Sequence, residues 1–143
     1  MKMTYSRSKG FTLAEVLIVA LIVGLLSSVA YPSYVNNVRK ANRSEAISEL
    51  QRLMSAQERY FLSNKEYADD LQKLGLSGST VSIDDYDIEA NGCASPNDNV
   101  RLCVELRAAA STESQKKDGD IVMNTIGRSE LVKAGTNTVI KQL

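Results

Sequence analysis

The fold and the location of this chain are decided by the stretch Lys9-Gly10-Phe11-Thr12-Leu13-Ala14-Glu15 and the nearly unbroken apolar run of residues 16–26 that follows it. Residues 11–31 contain one charged side chain, Glu15. At ~1.5 Å rise per residue, a helix of about 21 residues spans roughly 30 Å, the thickness of a bilayer core. An unpaired carboxylate in such a segment costs on the order of a few kcal/mol, so we expect Glu15 to have a cationic partner.

Three interpretations of this segment compete. A secretory signal peptide would place an A-x-A-like cleavage site at residues 28–30, and the apolar run would be removed. A permanent transmembrane anchor would keep the apolar run, but it gives no role to Gly10, Phe11 or Glu15. In the third interpretation, cleavage follows Gly10 on the cytoplasmic side of the membrane, and the apolar run becomes the start of the mature chain.

Length and charge limit the number of domains and the kinds of partner that the chain can have. A chain of 143 residues is the size of one domain, and its formal net charge is zero. Lys2, Arg7 and Lys9 precede the apolar run, and their removal would leave 14 basic and 17 acidic side chains. A mildly acidic mature chain gives no nucleic-acid signal of its own.

The sequence contains no catalytic pattern. It has no His, which removes the commonest general base and the commonest metal ligand, and it has no G-x-S-x-G or P-loop motif. We therefore expect a protein that is not an enzyme and that needs no cofactor and no metal.

A helical pattern continues beyond the apolar run. Apolar residues at helical spacing predict one buried stripe, with charged side chains on the other face. The stripe consists of Ile47, Leu50, Met54 and Phe61, with Ala46, Leu53 and Tyr60 beside it. A core stripe explains Met54 and Phe61 better than a ligand site does. Gly24 and Pro32 are expected to bend the helix or to melt it locally. The helix would contain about 50 residues and extend ~80 Å.

The C-terminal part changes to a period of two. Apolar and polar side chains alternate over residues 85–90 and 101–107, which predicts two strands with one buried face each. The inward side chains would be Tyr86, Ile88 and Ala90, and Leu102, Val104 and Leu106. Residues 121–126 predict a third strand, and residues 132 and 138–141 suggest a short edge strand. One long helix followed by three or four antiparallel strands is an α+β arrangement.

Two further clusters have competing interpretations. Arg39, Lys40 and Arg43 could bind phosphate, but they more often form a solvated face just outside a membrane. The acidic residues 84–89 do not fit a calcium loop, because counting from Asp85 the sixth and twelfth positions hold Ala90 and Pro96 instead of Gly and Glu. We expect these acids to form the polar face of a strand.

The two cysteines, Cys93 and Cys103, lie ten positions apart. They could be free thiols, half of a metal site, or a disulfide. The sequence shows no third or fourth ligand for a metal. In an exported domain a disulfide is the expected state, and closing so short a loop would stabilise the fold by roughly 3 kcal/mol.

The stretch from Gly10 to Val16 resembles the class III signal of type IV pilins and type II secretion pseudopilins. The resemblance implies cleavage between Gly10 and Phe11 by a prepilin peptidase, followed by N-methylation of Phe11. It also implies that the Glu15 carboxylate pairs with the N-terminal amine of a neighbouring subunit. Ala14 departs from the usual Leu or Ile. Gly24 and Pro32 fall where pilins usually have helix-weakening residues.

A second resemblance narrows the family. The segment of residues 57–61, QERYF, followed by Tyr67 and by Leu74-Gly75-Leu76, is similar to minor pilins of the PilE type. Gln115 and Asp118 match the Q-x-x-D segment of that branch. Ile121 stands where the branch usually has a Cys, so the usual disulfide-bounded C-terminal loop is not expected here.

The resemblance implies a type IV pilin fold with three parts: a basic leader of residues 1–10, a transmembrane and filament-core segment of residues 11–35, and a periplasmic head of residues 36–143. We expect a minor pilus subunit that primes assembly or caps the filament and supports twitching, adhesion or DNA uptake. Its partners would be other pilin subunits, the prepilin peptidase and the inner membrane before assembly into an extracellular filament. Nucleic acid has weaker support. The alternatives are a type II secretion pseudopilin and a membrane-anchored binding module that does not polymerise.

Overall fold

The computed structural model describes residues 10–93 and 100–143. The leader residues 1–9 and the turn predicted at residues 95–99 lie outside this described part. The elements are one α-helix, two short 3-10 helices and six strands: α1 (Leu13–Asn64), Leu71–Leu74, β1 (Val81–Ile83), β2 (Tyr86–Gly92), β3 (Val104–Ala110), Gln115–Lys117, β4 (Asp120–Asn124), β5 (Ser129–Val132) and β6 (Val139–Gln142). Contacts divide the chain after Asn37 into an N-terminal unit and a head, Val38–Leu143.

The N-terminal unit contains the first half of α1. Leu, Ile, Val and Ala fill this stretch, and its large apolar side chains from Phe11 to Tyr34 are exposed. α1 is long and apolar enough, by length and composition, to cross a membrane. The predicted membrane-length helix is therefore present, and its apolar surface has no partner within the described residues.

Within the head, α1 buries one stripe. Ala46, Leu50, Leu53 and Gln57 are buried, and their spacing of three and four residues places them on one side of the helix. Ile47 and Met54 flank the stripe and pack against the core. The predicted stripe is confirmed in part. Leu50 is buried, and Ala46 and Leu53, which were expected beside the stripe, form its centre with it. A polar residue, Gln57, extends the stripe, whereas Phe61 is only partly buried and lies outside the core.

The six strands form one antiparallel sheet in the order β1-β2-β3-β4-β5-β6. Side chains alternate in burial along β3, and the inward ones join the stripe of α1 in a single core. The core of fully or nearly fully buried side chains contains Ala46, Leu50, Leu53, Leu71, Tyr86, Ile88, Leu106, Ala108, Ala110, Ile121, Met123 and Leu131. This is the predicted α+β class, one long helix packed on an antiparallel sheet.

The number of strands differs from the three or four that were predicted. β1 is only three residues long, so it offers too short a pattern to recognise. The predicted C-terminal edge strand is two strands, β5 and β6, joined by a turn in which Gly135 has a φ of 71°. β5 shows no alternation, because Glu130, Leu131 and Val132 are all buried.

Two predicted strand ends are also wrong. Leu102 was expected to point inward but is 82% exposed, and β3 begins at Val104. Ile126 is 75% exposed, because β4 ends at Asn124 and the chain then turns through Gly127, whose φ is 97°. In both places the pattern that predicted a strand in the sequence extends further along the chain than the strand itself.

Candidate assembly site and the contacts of the head

The residues expected to take part in assembly lie at the start of α1. Gly10 and Phe11 precede the helix, and both are exposed. The backbone N–H of Thr12 and its hydroxyl each donate a hydrogen bond to Oε2 of Glu15, both at 2.8 Å. The backbone N–H of Glu15 donates in return to Oγ1 of Thr12 at 3.3 Å. This reciprocal arrangement is a capping box, which satisfies backbone donors that have no partner in the first turn of a helix.

Thr12 is a residue that the charge pattern alone does not identify. A Thr followed three positions later by a Glu, just before an apolar run, is itself the sequence signature of a capping box. The signal was therefore present in the sequence. The structure adds that both donors of Thr12 reach the same carboxylate oxygen.

The apolar side chains that follow Glu15 are uncovered. The large ones are all at least 49% exposed: Val16, Leu17, Ile18, Val19, Leu21, Ile22, Val23, Leu25, Leu26 and Val29. Full burial of one such side chain contributes about 1.5–3 kcal/mol. A surface of this size requires an apolar partner, either lipid or another protein.

Gly24 and Pro32 both lie inside α1. Nothing lies within 4 Å of the position that a Cβ on Gly24 would occupy. Proline lacks the N–H that would donate to the carbonyl four residues before it, so Pro32 removes one hydrogen bond from the helix. The expectation that these residues bend or melt the helix stays a prediction.

A polar cluster joins the first turns of α1 in the head to the sheet. Arg43 forms a salt bridge of 3.0 Å with Asp118. Nε2 of the buried Gln115 donates to the Tyr86 hydroxyl at 2.9 Å and to the carbonyl of Arg39 at 3.2 Å. The Tyr86 hydroxyl donates to the carbonyl of Gly119 at 3.2 Å, and burial raises the pKa of Tyr86 to about 12. The Q-x-x-D residues, Gln115 and Asp118, therefore hold the segment before β4 against α1.

A second set of contacts connects the QERYF segment, residues 57–61, to the connector that follows α1. The amide of Gln57 donates to the carbonyl of Ala68 and accepts from its N–H, both at 2.8 Å, in a fully buried environment. The rings of Phe61 and Tyr67 stack with centroids 4.6 Å apart. These contacts fold the connector after α1 back onto the end of the helix. The residues that resemble minor pilins in this segment thus stabilise the fold.

Cys93 and Cys103 form a disulfide, with their Cα atoms 5.6 Å apart, so the predicted pairing is confirmed. The bridge joins the end of β2 to the residue before β3. Ile121, which occupies the position of the family's usual Cys, is fully buried in the core.

The face of the sheet away from α1 carries a network of charges. Arg107 donates to Asp120 at 2.8 Å and also to the carbonyl of Thr136 at 2.7 Å. Asp120 in turn accepts from the backbone N–H groups of Ala110 and Gly135. Arg128 pairs with Glu130 at 2.6 Å and with Glu105 at 3.2 Å. Arg107, Asp120, Arg128 and Glu105 line a groove of 720 Å³, and their ion pairs largely neutralise their charges.

The pKa values of two glutamates in this network are shifted in opposite directions. Burial raises the pKa of Glu105, although the nearby Arg128 partly offsets it. The hydrogen bond from Arg128 lowers the pKa of Glu130. No group of three or more His, Cys, Asp or Glu side chains in the described ranges is placed to hold a metal ion.

The acidic residues of the β1–β2 region lie as a polar surface. Asp87 and Glu89 are on the outward side of β2, because Tyr86 and Ile88 on the same strand are buried. Asp85 accepts a hydrogen bond from Asn42 of α1 at 2.9 Å, and Asp87 accepts one from Ser82 at 2.6 Å. Their contacts are those of a strand face and a turn, in agreement with the sequence-based interpretation.

Comparison with known proteins gives two family matches. The family model described as "Type IV minor pilin ComP, DNA uptake sequence receptor" matches residues 32–119. The model described as "Prokaryotic N-terminal methylation motif" matches residues 5–31. Together the two matches extend from the leader to the start of β4.

Individual relatives agree with these matches. The type IV major fimbrial protein FimA of Dichelobacter nodosus is 31% identical over 124 residues, which are 87% of this chain and 74% of FimA. The type IV major pilin protein PilA of Myxococcus xanthus is 30% identical over 105 residues, 73% of this chain and 46% of PilA. The type II secretion system core protein G of Pectobacterium carotovorum is 40% identical over 68 residues, 48% of this chain and 44% of that protein.

The chain thus spans less than half the length of two of these relatives and about three quarters of the third. The ComP model covers more than half of the chain, and FimA is matched over most of both sequences. The long apolar-to-amphipathic helix on an antiparallel sheet agrees with both matches. These findings show that the chain belongs to the type IV pilin family, in the group that resembles ComP.

Proposed function

We propose that this chain is a minor subunit of a type IV pilus. It is made as a precursor, loses residues 1–10 to a prepilin peptidase, and carries a methylated amine on Phe11. The match of the methylation motif to residues 5–31 supports this processing. The precursor is held in the inner membrane by the apolar half of α1, and the subunit then enters the filament.

The observation that carries the proposal is the uncovered apolar surface of the first half of α1. Lipid covers this surface before assembly. In a filament, the same surface packs against the equivalent helices of neighbouring subunits, so neither state leaves it in water. A single helix that is apolar on all sides suits both environments.

Glu15 sets the register between neighbouring subunits in this proposal. Methylation of an amine keeps its positive charge. A carboxylate and an ammonium that meet in an apolar environment offset each other's cost of burial. Glu15 of one subunit therefore pairs with the Phe11 amine of the next.

Mass spectrometry of the mature protein tests the processing. We expect an N-terminus at Phe11 that carries one methyl group. A mature chain that starts at Tyr31 would support an ordinary signal peptide and would contradict the proposal.

Incorporation into pili tests the role of Glu15. We expect Glu15→Gln and Glu15→Ala to remove the subunit from sheared pili while the membrane pool remains. Glu45→Gln makes the same change at an exposed position of α1 in the head, and it serves as the matched control. Normal incorporation of both Glu15 variants would refute the register role.

The alternatives within and outside the family make different predictions. The pilins FimA and PilA match 87% and 73% of this chain, whereas core protein G of Pectobacterium matches 48%, which favours a pilus over a secretion pseudopilus. Purification of sheared pili decides between them. Absence from pili together with presence in a secretion complex would establish the pseudopilin, and a protein confined to the membrane would establish a binding module that does not polymerise.

A role in DNA uptake is supported by the description of the matching family model. Four arginines of the head, Arg43, Arg52, Arg107 and Arg128, each form an ion pair, which reduces the positive charge that they offer to phosphates. Lys117, Lys133 and Lys141 are exposed and make no salt bridge with any residue in the described ranges.

Binding of duplex DNA to the full chain in detergent, measured at several salt concentrations, tests this role. We expect the affinity to fall as the salt concentration rises. Lys133→Gln is expected to weaken binding and to reduce the slope of log K against log salt concentration by about one, the amount expected for the loss of one phosphate contact. Glu45→Gln, a change of the opposite charge at an exposed residue that forms no ion pair with any residue in the described ranges, is the control. Absence of binding at low salt would refute the role in DNA uptake.

A further inference from the structure

The capping box at the start of α1 has a consequence for the Glu15 carboxylate. We propose that Thr12 is a positioning residue, which holds the carboxylate by one oxygen and leaves the other free for the amine of a neighbouring subunit. This inference rests on the proposed pairing of Glu15 with that amine.

The geometry separates the two oxygens of Glu15. Both donors of Thr12, its backbone N–H and its hydroxyl, reach Oε2 at 2.8 Å. No residue in the described ranges donates a hydrogen bond to Oε1. A carboxylate that is fixed through one oxygen has lost most of its rotational freedom, so a second partner binds Oε1 at a smaller entropic cost.

Thr12 is also the hydroxyl that lies within one helical turn of Glu15. The other hydroxyls of the apolar segment belong to Ser27, Ser28 and Tyr31, which follow Glu15 by at least three turns. Ser28 donates to the carbonyl of Leu25 at 2.7 Å, which is a contact within its own turn. In an apolar environment, Thr12 is therefore the nearby source of hydrogen bonds for the carboxylate.

The capping box survives the proposed cleavage. Thr12 and Glu15 both lie on the retained side of the Gly10–Phe11 bond. Before assembly, the two donors of Thr12 partly satisfy the carboxylate in the membrane, where an unpaired charge is costly. After assembly, Oε2 keeps these donors and Oε1 accepts from the ammonium of the next subunit.

The test compares two substitutions of Thr12 in the full-length protein, produced in the pilus-bearing host. Thr12→Val keeps the shape of the side chain but removes the hydroxyl, so two of the three hydrogen bonds of the capping box are lost. We expect it to lower incorporation into sheared pili by about tenfold, as the loss of a hydrogen bond to a charged group implies. Thr12→Ser restores the hydroxyl and is expected to restore incorporation.

Two controls make the test specific. Ser28→Ala removes a hydroxyl of the same apolar segment that does not contact Glu15, and we expect normal incorporation. Mass spectrometry of the Thr12→Val protein is expected to show normal cleavage and methylation. Failure of either processing step would assign Thr12 to recognition by the peptidase and would overturn the proposal.

Glu15→Gln separates the inference from the function on which it rests. If Glu15→Gln is lost from pili and Thr12→Val is incorporated normally, the positioning role is refuted and the role of Glu15 stands. If Glu15→Gln is incorporated normally, the pairing itself is refuted. Equal loss for Thr12→Val and Thr12→Ser would also overturn the proposal, because a positioning hydroxyl must be rescued by Ser.

Discussion

The two halves of α1 share one secondary structure and differ in what covers them. The first half, residues 13–37, is mostly apolar, and its large apolar side chains from Leu13 to Tyr34 are exposed. The second half, residues 38–64, buries one stripe against the chain's own sheet and exposes charged side chains elsewhere. The difference teaches that helical structure alone does not show where a helix obtains its stability: the second half packs on its own head, and in the proposed function the first half depends on lipid or other subunits.

The largest expected difference in the free energy of unfolding comes from making the same change, Leu→Ala, in each half of α1. Leu50→Ala removes a fully buried side chain, and we expect it to lower the free energy of unfolding of the head by about 2–5 kcal/mol. Leu25→Ala removes an exposed side chain of the first half, and we expect the head to lose less than about 0.5 kcal/mol. Denaturant unfolding of the full chain in detergent, followed by circular dichroism of the tyrosines, measures both. A similar loss for the two variants would break the comparison.

The next effect concerns the polar end of the buried stripe. Gln57→Ala leaves the N–H and the carbonyl of Ala68 buried without partners, at a cost of about 1–3 kcal/mol for each group. We expect the free energy of unfolding to fall by about 2 kcal/mol or more. Gln51→Ala is the matched control, since Gln51 lies exposed on the same half of α1. Equal losses would show that the Gln57 contacts contribute nothing.

A pH dependence follows from Tyr86, whose hydroxyl joins the sheet to the segment next to α1. Burial raises its pKa to about 12 in the folded state, against an ordinary value near 10. The unfolded chain therefore loses this proton first, so the stabilisation is complete below about pH 10 and is lost as the pH rises toward 12.

Unfolding measured from pH 9 to pH 11 tests this assignment. We expect the stability of the wild type to fall more steeply with pH than that of Tyr86→Phe. The Phe variant is expected to be less stable at pH 9, because it lacks the hydrogen bonds to Gln115 and Gly119. Parallel curves for the two proteins would refute the assignment.

The smallest effect is expected on the exposed face of the second half. Arg52 pairs with Glu49 one turn away on the surface of α1. Arg52→Ala is expected to cost at most about 0.5 kcal/mol, and 1 M salt is expected to reduce this loss further. Arg43→Ala is expected to cost more, because Arg43 and Asp118 are both mostly covered. Thermal unfolding of the two variants at low and high salt checks the order.

Much of the candidate site could be predicted from the sequence because it depends on local order. Gly10, Phe11 and Glu15 are identified as site residues by the resemblance of a short local motif to the pilin signal, and Thr12 with Glu15 forms a local signature of its own. The outward position of the acids of β2 and the inward position of Tyr86 and Ile88 follow from a period of two.

The polar contacts of the head could not be predicted in the same way. Gln57 and Gln115 are polar residues in fully buried places, and hydropathy assigns such residues to the surface. Their partners, Ala68 and Tyr86, lie 11 and 29 positions away along the chain. Burial of an amide is favourable only when its hydrogen bonds are made, and the folded chain alone brings the partners together.

The sequence by itself therefore determined the long helix, its change from an apolar to a one-sided pattern, and the α+β class, because periodicity and composition are properties of neighbouring residues. The tertiary structure decided the number of strands, the ends of β3 and β4, and the burial of Gln57 and Gln115. It also decided that Arg107 and Asp120 neutralise each other beneath the β5–β6 turn. These features depend on distant parts of the chain meeting, and their energies come from contacts that no local pattern contains.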